Sequence, residues 1–77
     1  MKYSKSACFI GDDRHPGICY YFEIWGLLGT KEINLYHDVV DDKWFGDTID
    51  SDGWHDLDPE DLTRYVTMIK DEINKNQ

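Results

Sequence analysis

The chain has 77 residues and a net charge of −8, from sixteen acidic and eight basic side chains. This length predicts one small domain, residues 1–77, because single domains usually run from roughly 50 to 200 residues. Phosphate backbones and anionic lipid repel so acidic a chain, so we expect it to bind neither nucleic acid nor a membrane surface directly.

The composition also predicts a folded protein. Aromatic residues make up 14% of the chain, and their large side chains supply the burial that disordered chains lack. No stretch reaches the roughly 18 apolar residues that a membrane span needs, and residues 1–11 do not resemble an export signal. We therefore expect a cytoplasmic protein in which Cys8 and Cys19 remain reduced and unpaired.

Four segments in the first 49 residues have the pattern of β-strands. Residues 2–10 end in the apolar run ACFI, and residues 18–25, ICYYFEIW, are β-branched and aromatic. Residues 32–40 alternate apolar and polar side chains, and residues 41–49 predict a short fourth strand, in which Gly46 indicates a bulge or an exposed edge. In the second strand, alternation separates two faces: Ile18, Tyr20, Phe22 and Ile24 on one, and Cys19, Tyr21, Glu23 and Trp25 on the other.

The C-terminal segment predicts an amphipathic helix over residues 59–75. Asp58 can cap a helix whose first residue is Pro59, and Glu60 and Asp61 suit the positive end of its dipole. The apolar residues that follow recur at helical spacing: Leu62, Tyr65, Val66, Ile69 and Ile73. The sequence thus predicts an α+β fold, a small antiparallel sheet of three to four strands with this helix packed on one face.

The acidic residues 48–62 partly match a calcium loop. With Gly53 at position six, Asp50 and Asp52 fit positions three and five, but Thr48 and Pro59 stand where ligands are required, so we reject an EF-hand. Two interpretations remain open for this segment. One is a turn at Asp52-Gly53 that leads to the capped helix, and the other is a looser cation site formed by Asp50, Asp52 and Asp56.

The sequence lacks complete motifs for zinc binding or catalysis. A zinc site would have to draw on widely spaced ligands, Cys8, Cys19, His15, His37 and His55, which form no Cys-x-x-Cys pair. The chain has no nucleophile elbow, no phosphate-binding glycine loop and no His-Glu zinc motif. We therefore predict no enzyme activity, no metal site and no cofactor.

The charge is concentrated in one region. Residues 38–61 contain ten acids and one base, Lys43, for a net charge of −9, so the other 53 residues together carry +1. Aromatic rings are interleaved with these acids, which is the composition of a protein-binding hot spot, although the rings can instead close the small core. The predicted partner-binding residues are Asp38, Asp41, Asp42, Trp44, Asp47, Asp50, Asp52, Trp54 and Asp56.

In size, charge and lack of catalytic motifs, the chain resembles the small acidic inhibitors that bacteriophages and mobile elements encode, including anti-CRISPR proteins. This resemblance implies a counter-defence protein that blocks the basic nucleic-acid-binding surface of a nuclease or defence complex. The alternatives are a small ligand- or cation-binding module, and an accessory subunit or homodimer joined through an uncovered sheet face that carries Tyr21 and Trp25.

Overall fold

The computed structural model describes residues 1–27 and 29–75. They form one sheet and one helix. The strands are β1 (Tyr3–Ile10), β2 (His15–Gly26), β3 (Gly29–Asp38), β4 (Lys43–Asp50) and β5 (Gly53–Asp56), and the helix is α1 (Pro59–Lys75). Among the described residues, no helix is long and apolar enough to cross a membrane.

The sheet is an antiparallel meander in which every strand pairs with its neighbour in sequence, in the order β1-β2-β3-β4-β5. The prediction of an α+β fold with an antiparallel sheet is confirmed, but the predicted strand number was too low. The missed strand is β5, where the sequence indicated a turn leading into the helix. That turn does form, with Gly53 at a φ of 100°, but it returns the chain alongside β4 for four further residues.

The core lies between the helix and one face of the sheet. Its buried apolar side chains come from β2, β3 and α1: Tyr20, Phe22, Ile33, Leu35, Tyr65 and Ile69. The predicted alternation of β2 is confirmed, since Tyr20 and Phe22 are buried while Ile18 and Ile24 pack against the same cluster. The other face of the sheet is left without cover by the described part of the chain.

The helix begins where the sequence predicts, because its cap is local. The Asp58 carboxylate accepts a hydrogen bond from the backbone N–H of Asp61 at 2.8 Å, and Pro59 occupies the first helical position. The helix then turns Tyr65 and Ile69 into the core, with Leu62, Val66 and Ile73 packed around them.

Gly46 has a different role from the one predicted. It lies inside β4, which pairs with β3 without a break, so it marks no bulge. It stands one residue outside the pairing of β4 with β5, but its edge is not exposed there. The chain between β5 and α1 crosses directly above it, and the backbone N–H of Leu57 donates to the Gly46 carbonyl at 3.1 Å. A Cβ atom at Gly46 would lie 2.7 Å from Leu57 Cδ1 and 2.9 Å from Leu35 Cδ2, so this crossing needs a residue without a side chain.

We predict that Gly46→Ala lowers the free energy of unfolding by about 1–3 kcal/mol, because Leu57 and Leu35 must both move to admit the methyl group. Gly26→Ala is the matched control, since its Cβ would meet its nearest neighbour at 3.8 Å, and it should change stability by less than about 0.5 kcal/mol. Urea unfolding of both variants checks this, and equal losses would contradict the steric argument.

Candidate functional site

The sheet face opposite the helix, called here the open face, carries a mixture of acids and aromatic rings. Alternation along the paired strands assigns its members, and hydrogen bonds between neighbouring strands agree with that assignment. Its acidic, aromatic and polar members in β2 to β5 include Tyr21, Glu23, Trp25, Glu32, Asn34, Tyr36, Asp38, Phe45, Asp47, Trp54 and Asp56.

Acids face acids across the strands of the open face. Glu23 of β2 lies directly opposite Glu32 of β3, and Asp47 of β4 lies directly opposite Asp56 of β5. Directly opposed residues of this kind have Cβ atoms about 4.5–5.5 Å apart, a distance at which like charges destabilise the sheet. Lys43 is the one lysine or arginine that the described strands place on this face, because Lys5 and Lys31 lie on the helix side.

Polar neighbours hold the inner acids in place. Asp47 accepts a hydrogen bond from Asn34 Nδ2 at 3.0 Å and one from the Tyr36 hydroxyl at 3.4 Å. Burial and the charge of Asp47 raise the pKa of Tyr36 to about 12. Tyr21 donates to Glu32 at 2.7 Å, and this bond is the main cause of the raised pKa of Tyr21. Both phenols therefore stay protonated donors at neutral pH.

Three large aromatic side chains are exposed on the same face. Trp25 is 80% exposed, Trp54 is 56% exposed and Phe45 is 46% exposed. Rings of this size usually lie inside a protein or in an interface, because they remove more apolar area from water than most other side chains. The open face thus combines apolar contact area with negative charge.

The structure divides the nine predicted partner-binding residues among several places. Three of them lie together on the open face, half-buried Asp47 and exposed Trp54 and Asp56. Asp38 is buried at one end of that face, and Asp41 and Asp42 lie in the adjoining turn. Asp50 and Asp52 lie at the opposite end of β4, around its turn to β5.

Trp44 lies on the helix side of the sheet, where it completes the core. Its ring stacks on His37 at a centroid distance of 4.2 Å and on Tyr20 at 5.8 Å, while the Lys70 ammonium lies 5.7 Å from its centroid. Its buried indole nitrogen has no hydrogen-bond partner among the described residues. The sequence left open whether the tryptophans form a binding surface or close the core. Trp44 closes the core, whereas Trp54 stays exposed.

The cation site suggested for the β4-β5 turn does not assemble. Asp50 instead accepts a hydrogen bond from His55 Nε2 at 2.8 Å and another from the backbone N–H of Asp52. The bond with His55 lowers the pKa of Asp50 and raises the pKa of His55. The residues considered and rejected as zinc ligands do not form a common site among the described residues either: Cys8 and Cys19 are free and half-buried, and His37 and His55 bind separate carboxylates.

One cluster of metal-ligating groups does form among the described residues, and the sequence did not indicate it. His15, Asp38 and Asp41 bring one nitrogen and two carboxylate oxygens within 4.8 Å of one another. Sequence reasoning also missed Glu23, Glu32 and Phe45 as members of the open face. The alternation of β2 placed Glu23 with Tyr21 and Trp25, which was the available signal.

Comparisons of the chain with models of known protein families, with curated proteins and with solved structures found no match.

The Asp50-His55 pair gives a measurable pKa. We predict that NMR titration places the pKa of His55 above 6.5, and that Asp50→Asn lowers it because the main cause of the increase is lost. Asp52→Asn removes the same charge from the same turn without touching His55 and should lower this pKa much less. A similar decrease in both variants would assign the increase to the general acidity of the region.

The sign of the matching stability effect follows from the direction of the shift. Because the folded-state pKa of His55 is raised, the stabilisation from its protonated form is complete below its unfolded value of 6.5. It is lost as the pH rises through the folded-state pKa. Thermal unfolding between pH 5 and 8 should therefore show the wild type losing its advantage over Asp50→Asn as the pH increases.

Proposed function

We propose that this protein is a small acidic inhibitor that binds another protein through its open face, and that its partner presents a basic nucleic-acid-binding surface. A nuclease or defence complex, blocked by a phage or mobile-element counter-defence protein, is the specific form of this proposal. The observation that carries it is the two pairs of directly opposed acids, Glu23 with Glu32 and Asp47 with Asp56, on an uncovered face with exposed rings.

The opposed acids favour a basic partner because they are unfavourable in the free protein. A directly opposed like-charge pair costs an isolated sheet up to about 1 kcal/mol. The cost is smaller for Glu23 and Glu32, because the Tyr21 hydroxyl lies 3.0 and 2.7 Å from their carboxylates, so Asp47 with Asp56 is the less compensated pair. A lysine or arginine placed over a pair would remove that repulsion and add a charge-assisted hydrogen bond. Binding would thus relieve a destabilisation that the free domain carries.

The same charges argue against a second copy of this chain as the occupant. Two open faces laid against each other would bring Glu23, Glu32, Asp47 and Asp56 of one copy close to acids of the other, with Lys43 as the only base of these strands on each. Like charges in contact across an interface cost several kcal/mol, according to general experience with protein complexes. The homodimer alternative is therefore less favourable than a basic partner.

The exposed rings would supply the contact energy. Tryptophan is enriched among the residues that dominate protein interfaces, and charge mainly contributes specificity and fast association. Trp54 stands directly opposite Ile49 on the neighbouring strand. Trp54 and Asp56 flank His55 in sequence, so both lie on the open face. An apolar anchor beside a carboxylate fits a basic groove whose floor is formed by apolar stems of lysine or arginine.

A test of the opposed acids needs only the isolated protein. We predict that Asp56→Asn raises the free energy of unfolding by about 0.2–1 kcal/mol, because it removes the repulsion from Asp47, and that added salt diminishes the gain. Asp52→Asn removes one charge from an exposed turn residue without a directly opposed acid, so it should change stability less. Equal gains would indicate relief of net charge alone.

The partner is tested by affinity capture from the native host, followed by purified binding assays. We predict that the captured protein binds nucleic acid, that duplex DNA or RNA competes with its binding to this domain, and that Glu23→Lys with Asp56→Lys weakens it at least tenfold. Asp12→Lys with Asp71→Lys makes the same charge change at exposed sites off the open face and should weaken it much less. A partner whose binding is unaffected by nucleic acid, or lost equally in both variants, would refute the proposal.

A further inference from the structure

The His15 cluster, formed by His15, Asp38 and Asp41, lies where β2 begins and β3 ends. The sheet register pairs Gly17 with Asp38, which carries the Asp38 side chain to the start of β2. His15 Nδ1 then lies 3.2 Å from Asp38 Oδ2 and 3.6 Å from Asp41 Oδ2. Asp38 and Asp41 follow His15 by 23 and 26 positions in sequence, yet the three side chains present one nitrogen and two oxygens to a common point.

Asp38 is oriented before any ligand arrives. It is only 4% exposed, and its Oδ1 accepts hydrogen bonds from the backbone N–H groups of Val40 and Asp41 at 3.0 and 3.2 Å. These two bonds fix the carboxylate so that its other oxygen, Oδ2, lies toward His15.

The imidazole of His15 has more acceptors around it than it has protons. Its Nε2 lies 2.5 Å from Asp13 Oδ2, so one N–H is directed outward to that carboxylate. Its Nδ1 faces the oxygens of both Asp38 and Asp41, and a single N–H cannot donate well to two carboxylates in different directions. Even a fully protonated ring leaves two uncompensated negative charges among the three carboxylates.

The distances around Nδ1 match those of a metal coordination sphere. Zinc bonds of about 2.0–2.2 Å to nitrogen and oxygen, arranged tetrahedrally, place ligand atoms roughly 3.4 Å apart. The observed separations of 3.2 and 3.6 Å bracket that value. The Asp13 contact adds the outer carboxylate that typically binds the remaining N–H of a metal-ligating histidine and fixes its tautomer.

We infer that His15 Nδ1, Asp38 Oδ2 and Asp41 Oδ2 bind one divalent zinc ion, with Asp13 as the positioning residue for the imidazole. One imidazole and two carboxylates are a borderline donor set that suits zinc better than magnesium or calcium, which prefer oxygen alone. Asp41 is half exposed, so the fourth coordination position faces solvent and takes water. This inference does not depend on the proposed partner.

The other two histidines of the chain each contact a single carboxylate, whereas His15 contacts several. His37 contacts one carboxylate oxygen, of Asp42, and His55 contacts one, of Asp50. Within the described ranges, neither gathers a third ligating group. They serve as internal controls, because they share the acidic surroundings of His15 without its geometry.

The experiment is a titration of the whole protein with zinc chloride, followed by NMR of the histidine ring nitrogens and by calorimetry. All titrations use the Cys8→Ser, Cys19→Ser double variant as the starting protein, so that the two thiols cannot bind zinc. We expect one zinc ion per chain, a coordination shift at Nδ1 of His15 only, and a proton retained on its Nε2. Magnesium chloride at the same concentration should not produce the shift.

Variants at exposed positions separate coordination from general acidity. Asp41→Asn removes a ligand and should weaken zinc binding at least tenfold, and Asp13→Asn should weaken it about 10- to 100-fold through the imidazole. Asp42→Asn changes the same charge in the same turn and should leave affinity within about twofold. The inference is overturned if Asp42→Asn weakens binding as much as Asp41→Asn, if zinc shifts all three histidines alike, or if millimolar zinc leaves His15 doubly protonated.

Discussion

The structure depends on one constraint: a single helix covers a five-stranded sheet from one side. Ile69 of the helix and Ile33 and Leu35 of the sheet are completely buried, and no second layer exists among the described residues to bury the opposite face. The close crossing of Leu57 over Gly46 brings the helix onto that face immediately after β5. Because side chains alternate along strands, this one-sided cover determines which residues remain exposed.

The exposure of the open face is therefore a consequence of the fold, but the identity of the residues on it is not. An uncovered face needs only polar side chains, and opposite charges across strands would stabilise it. This protein instead places Glu23 opposite Glu32 and Asp47 opposite Asp56, beside exposed Trp54. A domain of this size has little stability to spare, and an arrangement that lowers it fits the proposed role in binding a partner.

The parts of this structure that could be predicted from sequence are those with local causes. The helix start follows from Asp58 and Pro59, and the two faces of β2 follow from an uninterrupted alternation of eight residues. Strand β5 escaped prediction because three of its four residues are Gly53, His55 and Asp56, which give no apolar alternation.

The remaining features depend on pairing register, which no local pattern specifies here. Trp44 and Trp54 both stand among acids, and only the pairing of His37 with Trp44 and of Ile49 with Trp54 sends the first to the core and the second to the open face. The His15 cluster exists for the same reason, because the register of β2 with β3 alone brings Asp38 to His15.

The two proposals draw on the same charge. Asp38 belongs by alternation to the open face, and the His15 cluster lies at one end of it, while the opposed acids lie farther along β2 and β3 and on β4 and β5. A divalent ion bound at that end would offset the charge of Asp38 and Asp41 and reduce the field that attracts a basic partner there. By thermodynamic reciprocity, a basic partner covering the open face would weaken the binding of the ion to the same extent. If both proposals hold, metal and partner would be competing counter-charges on one acidic surface.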